Sequence, residues 1–160
     1  YRKWCVMGRF AIVPQMESLI GLESLGLNPE KSYVAFDFWR QKFLGIVSVK
    51  IKCRALELGH CQIISLCEIE NYPQFIASSR HVSMDNTSVM DQIWNEGILS
   101  IKLKGVLGTK ENYWFYMPKS YDLCNVYGTG LKINCELQQH IAKVNVEFIN
   151  ESGVLKLCFN

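Results

Sequence analysis

The feature that most constrains this chain is the recurrence of short apolar runs, rich in β-branched and aromatic residues, cut by turn residues about every ten positions. Almost nowhere do apolar residues recur with the period of an amphipathic helix. Such a chain satisfies its backbone by pairing strands, and many short strands with turns between them build a sandwich or a barrel. The predicted fold is therefore all-β, an antiparallel β-sandwich of Greek-key type with roughly eight to ten strands and little helix, occupying residues 1–160 as one domain.

The central stretch is Ser32 to Gly45. Alternation along it puts Tyr33, Ala35, Asp37 and Trp39 on one face and Val34, Phe36 and Phe38 on the other. A second apolar run, Phe43 to Val49, begins after only Arg40, Gln41 and Lys42. That gap fits a hairpin loop or a bulged continuation of the same strand. Asp37 sits between two phenylalanines. If buried it must find donors, either backbone N–H groups or Arg40 at a strand end.

Along the rest of the chain, Trp4 to Val13 reads as a first strand, with Gly8 as a bulge or close approach and Pro14 at its end. Met16 to Leu27 supports two readings, a short helix or a strand followed by a turn. Asn28-Pro29-Glu30-Lys31 is a turn. Leu44 to Lys52 and Cys61 to Ile69 read as strands, followed by Phe75 to Val82, Val89 to Trp94 and Ile98 to Leu107. Met84 to Thr87 is a loop, and Asn95-Glu96-Gly97 is a tight turn. In the strand after it, Ile101 and Leu103 face one way and Ser100, Lys102 and Lys104 the other. Tyr113 to Met117, Tyr121 to Tyr127, Leu131 to Leu137, Ala142 to Ile149 and Val154 to Phe159 complete the series.

Composition narrows function. A formal charge of +2, with no run of like charges, argues against nucleic acid or an anionic membrane as partner. No window reaches the roughly 20 apolar residues of a membrane-spanning helix. The seven cysteines are odd in number and contain no Cys-x-x-Cys pair, so a zinc site is not expected, and the sequence is assigned no other cofactor. Most lie in apolar runs, which favours free thiols and a reducing compartment such as the cytoplasm. Two glycosylation sequons, at Asn86 and Asn150, point the other way.

Two ordered blocks then resemble a known family. Leu25-Gly26-Leu27-Asn28-Pro29-Glu30, Tyr33, Phe36-Asp37-Phe38-Trp39 and Phe43-Leu44-Gly45 form the first. Tyr72-Pro73-Gln74-Phe75 through Arg80-His81-Val82 form the second, followed by Asp91, Trp94, the Leu103 to Gly108 strand and Met117 to Tyr121. Together they resemble the C-terminal β-sandwich of melibiase-type glycoside hydrolases, the α-galactosidases and their relatives. The resemblance is strongest from Leu25 to Tyr121. It implies a non-catalytic accessory domain that packs on and stabilises a catalytic (β/α)8 barrel in the same or a neighbouring chain. The alternative is a carbohydrate-binding module acting alone. The family's paired catalytic carboxylates belong to the barrel, so no catalytic residue is assigned here.

Glycoside hydrolysis needs two carboxyl groups facing each other across a cleft. Asp37, Glu68, Glu70, Asp85 and Asp91 show no spacing that pairs them, and Glu68 with Glu70 reads as a solvated edge. Sugar or interdomain contact instead points to Trp39, Arg80, His81, Trp94 and Trp114, with Tyr113 and Tyr116 as further aromatics. Asp37 and Asp91 are read as structural polar groups, to which Arg80 or His81 could bond. Trp114 and Tyr116 share a face opposite Tyr113 and Phe115; if both faces are buried, no stacking platform is left. Cys61 beside His60 makes a poor thiol–base pair, because neighbours on a strand point to opposite faces.

Overall fold

A computed structural model describes residues 3–84 and 87–160. The sequon asparagine Asn86 and the carboxylate Asp85 lie outside the described residues. The chain is all-β, with fourteen antiparallel strands and one three-residue 3-10 turn among the described residues. The sequence reads as one sandwich over 1–160. The backbone sorts into two compact units, one running to Ile69 and the other from Glu70 to Asn160.

The N-terminal unit contains β1 (Trp4–Phe10), β2 (Ser18–Gly21), β3 (Tyr33–Asp37), β4 (Lys42–Val47), β5 (Lys50–Cys53) and β6 (Cys61–Glu68). One sheet has the order β1-β6-β3-β4, and a second ribbon pairs β2 with β5. Met7, Leu22, Tyr33, Ala35, Ile51, Cys53, Ile64 and Leu66 form its core. The Met16 to Leu27 segment takes the strand-then-turn form. β2 is followed by a 3-10 turn over Glu23–Leu25, closed by Gly26 in the left-handed conformation at φ 73°.

The central stretch folds as a hairpin that is also bulged. Gln41 (φ 47°) turns the chain, its N–H donating to Phe38 O at 3.1 Å, and the register shifts between Ala35 and Phe36. The single strand expected over Leu44 to Lys52 does not form. Val49 adopts φ 63°, which breaks the ladder, so β4 pairs with β3 while β5 crosses to β2. Fourteen strands exceed the eight to ten expected, and this split and the strand within Met16 to Leu27 account for two of the additional ones.

The C-terminal unit contains β7 (Gln74–Ser78), β8 (Val89–Asn95), β9 (Ile98–Lys104), β10 (Lys110–Tyr116), β11 (Leu123–Thr129), β12 (Leu131–Gln138), β13 (Ile141–Phe148) and β14 (Ser152–Phe159). Two four-stranded sheets, β12-β13-β10-β7 and β11-β14-β9-β8, enclose one core. That core takes every second residue of the inner strands: Leu99, Ile101 and Leu103 from β9, Val144, Val146 and Phe148 from β13, and Leu155, Leu157 and Phe159 from β14. This is the period-two pattern of a sandwich. The β8–β9 connection is the expected tight turn. Glu96 and Gly97 both have positive φ (47° and 79°), the combination that matches the twist of a two-residue hairpin.

Candidate functional site

The residues singled out from sequence do not converge. Trp39 lies on the β3–β4 turn of the N-terminal unit, 57% exposed, its ring edge-on to Phe38 at 4.9 Å. The other four are in the C-terminal unit. Arg80 follows β7 and faces Glu111 at 3.9 Å, while Ser79 Oγ donates to the same carboxylate at 3.0 Å. His81 is exposed, its Nδ1 accepting the Ser83 N–H at 3.2 Å and lying 3.0 Å from Ser83 Oγ. Neither of the two bonds Asp37 or Asp91 through these contacts. Asp91 is exposed and accepts its neighbour's N–H, from Gln92, at 2.9 Å.

Trp94 is half-buried in an aromatic cluster. It stacks on Tyr72 at 5.8 Å and meets Tyr121 edge-on at 5.3 Å. Trp114 offers no platform. β10 places Tyr113 and Phe115 in the core, and Trp114 and Tyr116 on the opposite face are buried as well. The phenol of Tyr113 is held by Ser88 Oγ at 3.0 Å, and burial pushes the Tyr116 phenol above its ordinary pKa. No aromatic ring of β10 is left exposed.

Asp37 is fully buried and finds its donors. Its Oδ1 accepts the Arg40 backbone N–H at 3.2 Å, and its Oδ2 accepts Gln62 Nε2 at 2.9 Å. Gln62 Oε1 in turn accepts Arg9 Nη1 at 3.1 Å, and Arg9 also donates to Arg54 O and to Gln15 Oε1. The direction of this relay is forced. Arg9 can only donate, so Gln62 must turn its oxygen to Arg9 and its amide N–H to residue 37, which must accept. The relay ties β1, β3 and β6 together. Both Asp37 oxygens and both ends of the Gln62 amide are engaged within it, the arrangement of a structural tie. No disulfide joins any of the seven cysteines, and burial raises the thiol pKa of Cys5 and Cys53, the latter against the opposing influence of Arg9. Among the described residues no group of three or more His, Cys, Asp or Glu side chains could hold a metal, and no helix is long and apolar enough to cross a membrane.

The site that sequence reasoning missed is an apolar flank of the N-terminal unit. Phe10, Ile12, Val13, Met16 and Leu19 are 65%, 85%, 62%, 84% and 66% exposed. Leu58, 67% exposed, is brought beside them because the Gly59 N–H donates to Ala11 O and Gln15 bridges Leu56. Single exposed apolar residues are ordinary; six on one segment and its partner turn are the kind of grouping found at interaction surfaces. The signal in sequence is Phe10 to Val13 running apolar without alternation, a pattern that reads as the end of a first strand.

Comparisons with protein-family models, with curated proteins and with solved structures found no match to this chain.

Proposed function

We propose that this chain is a non-catalytic accessory β module of a melibiase-type glycoside hydrolase, docking against the catalytic (β/α)8 barrel and stabilising it. The observation that carries the reading is the flank of Phe10, Ile12, Val13, Met16, Leu19 and Leu58. It is the kind of surface that packing on a second domain would cover, and the two sequence blocks from Leu25 to Tyr121 supply the class of partner. Burying a large aliphatic side chain contributes about 2 kcal/mol.

The test is a calorimetric titration of the full chain into a melibiase-type barrel domain that lacks its own sandwich. Saturable binding is expected. Ile12→Asp and Met16→Asp should each weaken it by about 30-fold, the equivalent of one such side chain. Absence of binding, or binding indifferent to both substitutions, refutes the docking. Hydrolysis of a chromogenic galactoside by the pure chain refutes the non-catalytic part.

A further inference from the structure

The N-terminal unit also carries a concavity of about 500 Å³ that the docking flank does not use. Its walls include Trp4 from β1, Tyr33 from β3, Glu68 from the end of β6, and Lys3, Asn28 and Lys31. The volume is within the range of small-molecule sites. The Asn28 turn that forms one wall is held rigidly. Tyr33 Oη accepts the Asn28 N–H at 3.1 Å and donates to Asn28 O at 3.2 Å, and Asn28 Oδ1 accepts the Glu30 N–H at 2.9 Å. That last bond fixes the amide so that its Nδ2 is the end left to donate. Across the cavity Lys31 Nζ contacts Glu68 Oε1, with side-chain exposures of 44% and 18%.

The chemistry of these walls selects a ligand. An indole wall takes a flat, weakly polar ring face. A carboxylate offers about four acceptor positions and an ammonium three donors, so a Lys–Glu pair serves hydroxyl groups on both counts. An aromatic acid would satisfy the indole but bring no hydroxyl for Glu68. Among the described lining residues two lysines stand against one carboxylate, a balance that favours an anion. We infer that this pocket binds a sugar ring carrying a carboxylate. The ring stacks on Trp4, its hydroxyls bond the Lys31–Glu68 pair and Asn28 Nδ2, and its carboxylate meets Lys3.

The inference is independent of the docking reading, because no barrel takes part in its test. The full chain is titrated with galacturonate and, separately, with galactose, and binding is followed by tryptophan fluorescence. Galacturonate should saturate the signal, with galactose about tenfold weaker, the order that losing one charge-assisted hydrogen bond entails. Lys3→Gln, at an exposed position that leaves the fold intact, should bring galacturonate down to the level of galactose. Trp4→Phe should remove most of the fluorescence change while Trp39, Trp94 and Trp114 remain. No saturation with galacturonate overturns the inference. So does equal binding of the two sugars, or galacturonate binding unaffected by Lys3→Gln.

Discussion

Replacing Asp37 by Asn tests the buried relay that joins β1, β3 and β6. The side chain keeps its shape and one oxygen. If that oxygen stays on Gln62 Nε2, the new amide N–H₂ faces the Arg40 N–H; if it turns to Arg40, the amide faces Gln62. Gln62 cannot reverse, because its oxygen is held by the Arg9 guanidinium. Either way a donor meets a donor in a fully buried place. Losing a hydrogen bond to a charged acceptor costs about 1.5–3 kcal/mol, and the relieved burial of the carboxylate returns part of it. The expected net loss is about 2 kcal/mol. In urea unfolding followed through Trp4 and Trp39, with a slope of about 2 kcal/mol per molar, the midpoint falls by about 1 M. The double variant Asp37→Asn with Gln62→Glu restores the order of donors and acceptors. The new carboxylate at position 62 then accepts from Arg9 and from the amide at position 37, whose oxygen accepts the Arg40 N–H. It should recover most of the loss. A midpoint unchanged by Asp37→Asn, or a double variant no better than the single, refutes the relay.

Three further outcomes are expected. Gly105→Ala should destabilise the C-terminal unit by about 2 kcal/mol in thermal unfolding, because a Cβ there would lie 2.6 Å from three carbons of the buried Phe148 ring. Phe115→Ala should cost about 4 kcal/mol by the same measurement, since it empties the centre of the sandwich core. In thiol labelling at pH 8, exposed Cys124 should react well ahead of Cys5, Cys53 and Cys135, whose pKa values burial raises above the ordinary 9.0. For these three thiols the folded state holds the proton more tightly than the unfolded one. Their contribution to stability is therefore intact below pH 9.0 and is lost as pH rises through the elevated values.

Much of the fold is legible because alternation is a local property. Ile98 to Lys104 reads as half-buried from its own residues, and Asn95-Glu96-Gly97 announces its turn. The split between β4 and β5 is hidden, because a positive φ at Val49 is a response to tertiary pairing that a β-branched side chain does not advertise. Trp114 shows a similar limit: alternation gives its face but cannot say that both faces of β10 are covered. The relay and the pocket depend on distant partners. Gln62 lies 25 residues from Asp37 and 53 from Arg9, and Glu68 lies 37 from Lys31. Asp37 declares its need for donors in sequence, but not which residues meet it.

Hydrogen–deuterium exchange of the full chain, alone and with a melibiase-type barrel domain, tests the docking most directly. The account predicts that exchange slows around Phe10 to Leu19 and the turn of Glu57 to His60, while the β12–β13 hairpin of the other unit is unchanged. No slowing in the flank, or slowing confined to the C-terminal unit, would contradict it.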